Sequence, residues 1–112
     1  MTIFRERQKA FQQRFKHEQD LRFQITARRN RLFGEWAAGR LGLSRAAAEI
    51  YAKSIVQAQF EEPGVLAKVD SDLRARGVAA TESELRSELA RFTREARRQI
   101  ADVGMHHAHG TV

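Results

Sequence analysis

An all-α fold, a four-helix bundle with a long first helix, is predicted by three features of this sequence. Apolar residues recur at helical spacing almost throughout, and no run of alternating β-branched residues competes with them. The breaks fall at Gly42, at Pro63-Gly64, at Gly77 and after Gly104, where glycine releases a helix into left-handed geometry and proline cannot continue one. The chain has 112 residues, 42% of them hydrophobic, and a single proline, which suits one folded domain and not a disordered polymer.

The first helix is predicted from about Thr2 to Leu41, and its halves differ in character. From Leu21 onward, Leu21, Ile25, Leu32 and Trp36 form one stripe and Phe23, Ala27, Ala37 and Leu41 another, so this half belongs to a core. Before residue 21 the apolar residues thin to Ile3, Phe4, Ala10, Phe11 and Phe15 among Arg, Lys and Gln. So narrow a line buries too little to offset the ordering entropy of a helix, and residues 1–20 are expected to form an arm that is mobile when free and helical when bound.

Ser44 is the N-cap candidate of the second helix, with Ala47, Ile50, Tyr51, Ile55 and Ala58 as its buried face and an end near Phe60. The third is short, carrying Val65 or Leu66, Val69 and Leu73. Thr81-Glu82-Ser83-Glu84 reads as a capping box that opens the fourth, followed by Leu85, Leu89, Phe92, Ala96 and Ile100 at the helical period. Trp36, Tyr51, Leu89 and Phe92 are expected in the core of a bundle spanning 21–103, and residues 104–112 are expected to form a disordered tail.

Lys and Arg total 20 against 14 Asp and Glu, a net charge of +6, and the excess is one-sided. Residues 1–31 hold nine basic side chains and three acidic ones; the remainder is neutral. A basic end points to an acidic partner. No cysteine is present, so a disulfide framework, a thiolate zinc site and a cysteine nucleophile are excluded. Apolar runs fall well short of the ~18 residues that cross a bilayer, and no signal-peptide region follows Met1, so a protein made and kept inside the cell is expected.

Catalysis would need a nucleophile with its base, paired carboxylates in a pocket, or spaced metal ligands. His106, His107 and His109 crowd the tail, His17 lies in the arm, and Glu61-Glu62 are neighbours that do not face each other on a helix. No enzyme, cofactor or metal site is expected. Arg28-Arg29-Asn30-Arg31 could meet phosphates, but it lies among apolar stripes and outside any recognition motif, which disfavours nucleic-acid binding. The arm carries charge on too many faces for a membrane-surface helix, and it fits a groove-binding helix better. Its candidate contact residues are Phe4, Arg5, Glu6, Arg7, Ala10, Phe11, Arg14 and Phe15.

Specific residues carry a resemblance. Ala10-Phe11, Phe15, His17, Leu21-Arg22-Phe23, Ala27-Arg28-Arg29-Asn30, Gly34, Trp36-Ala37-Ala38 and Leu41-Gly42 are followed by Tyr51-Ala52-Lys53 and Phe60-Glu61-Glu62-Pro63-Gly64. Over residues 4 to about 100 the chain resembles the zeta subunit of the F-type ATP synthase of alphaproteobacteria, an ATPase-inhibitor family formerly catalogued as a domain of unknown function. The resemblance implies a four-helix bundle without catalysis or cofactor, and partners in the α, β and rotor subunits of the ATP synthase. It also implies a cytoplasmic location, at the face of the inner membrane when bound. In members of that family that inhibit, the resemblance implies, the N-terminal segment enters the α/β catalytic interface as a helix and blocks rotation in the hydrolysis direction while sparing synthesis. The chain departs from the family in a less acidic arm, a shorter turn after Gly64 and a His-containing C-terminal extension. Two other functions are a weakly or non-inhibitory ATP-synthase-associated subunit and a basic helical nucleic-acid-binding protein.

Overall fold

The computed structural model describes the backbone of residues 2–110 and the side chains of residues 3–102. Four helices follow one another: α1 (Thr2–Arg40), α2 (Arg45–Gln57, continued by one 3-10 turn, Ala58–Phe60), α3 (Val65–Ala75) and α4 (Glu82–Gly110). They form the predicted four-helix bundle.

The ends of the helices follow from local chemistry. Gly42 (φ 70°) and Gly77 (φ 69°) adopt the left-handed conformation that closes α1 and α3. The Leu43 amide donates to the Ala38 carbonyl and the Val78 amide to the Leu73 carbonyl, which satisfies carbonyls the helix ends would leave free. The Ser44 Oγ accepts from the Ala47 amide at 3.3 Å, and the Thr81 Oγ1 from the Glu84 amide at 3.1 Å, so both predicted N-caps form. The helix end placed after Gly104 is not found, because the α4 backbone runs on to Gly110. A helix-interior glycine costs only about 1 kcal/mol, and no proline follows to enforce a stop. The three His side chains of the expected 104–112 tail, and residues 111–112, lie outside the described residues.

α1 runs antiparallel to both α2 and α4: Gly34 faces Ala52, Phe33 meets Phe92, and Arg28 donates to Gln99 at 3.1 Å. α3 closes the far end, where Tyr51 of α2 donates to Asp72 at 2.8 Å. The core is Phe33, Ala37, Ile55, Ala58, Val65, Val69, Leu73, Leu85 and Phe92. At Gly34 an added Cβ would lie 2.9 Å from the Ala52 Cα, so α1 and α2 approach as closely as they do because that position has no side chain.

Several expected core positions lie elsewhere. Trp36 is only partly buried, stacked on the fully buried Phe33 with ring centroids 5.7 Å apart. Tyr51 and Leu89 are likewise partly buried, while Phe92 is buried. Ile50 is 70% exposed, since it falls about 140° around α2 from Ile55 at 100° per residue. Leu21 and Phe23, assigned above to the core half of α1, are 38% and 59% exposed. The cause is length: the α2 segment ends at Phe60, opposite Phe23, and α1 continues beyond the end of α2. The longest dimension reaches 64 Å, and the radius of gyration of 18.2 Å exceeds the ~13 Å usual for a compact chain of about this size. No described helix is long and apolar enough to cross a membrane.

Candidate protein-docking site

Residues 3–24 of α1 are exposed on every face. Phe4, Phe11 and Phe15 are 73%, 70% and 55% accessible, and Ile3 is 67% accessible. At 100° per residue the spacings of seven and four place the three rings within about 40° of one another, one and two turns apart along a single line. Arg5 and Lys16 flank that line on one side and Arg7 and Arg14 on the other. Glu6 lies opposite, and Ala10 beside Arg14 and Ile3. All eight predicted contact residues therefore share one projecting helix, although they do not converge on an enclosed pocket.

The charges of this overhang are unlike those of the bundle. All the ion pairs among the described residues lie between Arg31 and Arg98, including Arg31 with Glu35, Lys68 with Asp72 and Arg86 with Glu82. The described ion pairs therefore belong to the bundle, and the basic side chains of the overhang face solvent.

The phenylalanine line has a continuation. Spacings of seven and four carry it from Phe4, Phe11 and Phe15 through Arg22 and Thr26 to Phe33 and Ala37, both fully buried. The arm's apolar line is therefore in register with Phe33 and Ala37 of the bundle, with Arg22 and Thr26 between the two stretches. At the transition Phe23 stacks on Phe60, centroids 6.1 Å apart and planes 27° apart. A shallow groove of about 180 Å³ opens there, lined by Arg22, Phe23, Thr26, Asn30, Val56 and Phe60 among others.

The groove has a polar floor. Asn30, fully buried, donates through Nδ2 to the Gln59 Oε1 at 3.1 Å. Arg29 donates to the Asn30 Oδ1 at 3.0 Å and to the same Gln59 oxygen at 3.2 Å. Desolvation pulls the Arg29 guanidinium down from its ordinary value, though such a group stays charged in any ordinary buffer. Its bonded neighbours are neutral amides. The junction residues Phe23, Asn30, Gln59 and Phe60 were not among the candidate contacts. Phe60 was read only as a helix end, and the pairing of Asn30 with Gln59 spans 29 residues, which no local spacing signals.

Comparison with known proteins agrees with this architecture. A solved structure, determined by solution NMR, is 36% identical with a TM-score of 0.64, over 73% of this chain and 96% of that one. No curated protein matches. The family model described as ATPase inhibitor subunit zeta matches residues 1–99, which takes in the overhang, the groove and nearly all of the bundle. The chain belongs to the ATPase inhibitor subunit zeta family.

Proposed function

We propose that this chain is a regulatory inhibitor of the F-type ATP synthase, and that its α1 overhang inserts at the α/β catalytic interface and blocks ATP hydrolysis. The observation that carries the reading is the exposed line of Phe4, Phe11 and Phe15 on a helix that projects from the bundle. Three aromatic rings held in water are costly for a soluble chain to retain, and a groove that covers them recovers that cost. Truncating each ring should weaken binding by about 1–3 kcal/mol.

Inhibition needs no chemistry from this chain. A helix with its side chains is roughly 10–12 Å across, so an interface that must close during hydrolysis is wedged open while the helix occupies it. Phe4, Phe11 and Phe15 supply the hold, Ala10 lets the groove wall approach, and Arg5, Arg7 and Arg14 meet acidic rim residues, with Glu6 on the side turned away. Whether inhibition is strong or weak depends on how well that rim matches so basic an arm.

The test is ATP hydrolysis by the source organism's ATP synthase with the full chain and with residues 1–19 deleted. Deletion should abolish inhibition while leaving the thermal unfolding of the bundle nearly unchanged, since no residue from 3 to 20 packs in the core. Undiminished inhibition by the shortened chain would transfer the contact to the bundle.

A further inference from the structure

The first fully buried side chain met along α1 from its N-terminus, among the described residues, is not apolar. It is Asn30, and it is also the one buried polar residue among those described. Residues 3–24 are exposed and none of 25–29 is buried, so Asn30 stands at the root of the overhang. An apolar side chain would serve packing better there. A buried amide is held at a cost in stability, and what it adds is direction.

The direction comes from Gln59, in the 3-10 turn that ends the α2 segment. The Asn30 Nδ2 donates to the Gln59 Oε1 at 3.1 Å, and the Asn30 Oδ1 accepts from the Arg29 Nε at 3.0 Å. The Arg29 Nη2 donates to the same Gln59 oxygen at 3.2 Å, so one acceptor of α2 joins two successive side chains of α1. No buried side-chain polar atom among the described residues lacks a partner. The positions one turn away on α1, Thr26 and Gly34, carry no carboxamide, so a slip of the turn along α1 would strand the buried amide. The neighbouring stack of Phe23 on Phe60 imposes no such register, since apolar contact is non-directional and most of both rings is exposed.

We propose that Asn30 is a positioning residue for the inhibitory arm: its bond to Gln59 locks the end of the α2 segment to the root of α1, so that the overhang leaves the bundle from one fixed helical base. The inference rests on the inhibitory reading of α1. The lever is long. Phe15 lies about 22 Å and Phe4 about 39 Å beyond Asn30 at 1.5 Å per residue, so a root tilted by roughly 10° carries Phe4 about 7 Å sideways. The arm is marginal as a helix by itself, and its ordering in a groove is propagation from a formed turn, without a new nucleus, only while that base stays wound.

The experiment compares the full chain with its Asn30→Leu, Gln59→Leu and Gln59→Glu variants, reading inhibition of the source organism's ATP synthase, thermal unfolding, and amide exchange along α1. Asn30→Leu puts an apolar side chain of the same branching into the buried site and should leave thermal unfolding unchanged or raise it. It should nonetheless raise the half-inhibiting concentration roughly 3- to 10-fold and bring fast exchange inward over residues 25–30. Gln59→Leu removes the acceptor and should weaken inhibition similarly, whereas Gln59→Glu keeps an acceptor for both Asn30 and Arg29 and should inhibit like the parent. If Asn30→Leu loses inhibition only in step with a fall in its thermal midpoint, Asn30 is a packing residue and the proposal is overturned. Parental inhibition by Asn30→Leu and Gln59→Leu overturns it too and leaves the arm reading standing. Should Asn30→Leu not fold, the exposed Gln59 decides: equal inhibition by its Leu and Glu variants refutes the lock. Failure of the parent to inhibit overturns both readings.

Discussion

Phe33 should carry more of the stability than Trp36, although Trp36 is the larger ring. Phe33 is fully buried between Trp36 and Phe92, whereas Trp36 keeps one side open beneath the Arg40 guanidinium, 5.4 Å from its ring. Phe33→Ala should therefore cost about 3–5 kcal/mol and Trp36→Ala clearly less, as read by urea unfolding. The reverse order would mean that the tryptophan is the true core ring. Tyr51 makes a second prediction, as the only tyrosine of the chain. Burial, then its hydrogen bond to Asp72 and the negative charge there, hold its phenol protonated far above the usual range. An unfolded phenol ionises near ~10, so this contribution to stability is intact below that pH and falls as pH rises beyond it. Tyrosinate absorbance in an alkaline titration should appear together with the loss of helical circular dichroism, not ahead of it.

At the scale of the element, α1 is one helix with two energetic regimes. From Thr26 to Ala38 its ladder is shielded by α2 and α4; from Ile3 to Gln24 every residue is exposed, and only the helix's own hydrogen bonds oppose chain entropy. A solvated segment of this length is marginal in water. Amide exchange should be fast over residues 5–20 and slow over 30–38; equal protection would show that the overhang is stable without a partner. These two regimes were legible in the sequence, as were the helix ends at Gly42, Pro63-Gly64 and Gly77, because caps and apolar thinning are local signals. The boundary between them was read a few residues early, at Leu21. Nothing near Phe23 records that α2 stops at Phe60. The close helix approach at Gly34 was legible from the sequence, but Asn30 and Phe33 were missed, because the stripes were traced through Leu and Trp while the face in contact uses a buried amide whose partner lies in the 3-10 turn after α2. The candidate contacts of the arm were visible from spacing alone, and the groove beneath them was not, since it exists only where two distant segments meet.

The whole molecule separates charge from packing. The described ion pairs lie in the bundle, and of the nine basic side chains in the first 31 residues six lie on the overhang, which also carries the exposed rings. Salt distinguishes the two contributions. The Debye length is about 10 Å at 0.1 M and about 3 Å at 1 M, so added salt removes the attraction between basic arm and acidic enzyme before contact, while rings already desolvated in a groove are little screened. Raising salt should accordingly slow the onset of inhibition several-fold and change the final level of inhibition much less, as progress curves of ATP hydrolysis would read. A steep fall of the equilibrium level itself would mean that charge and not the phenylalanine line holds the complex. That is the behaviour expected of a chain that binds phosphates, because their condensed counterions are released on binding and the affinity then follows the salt concentration.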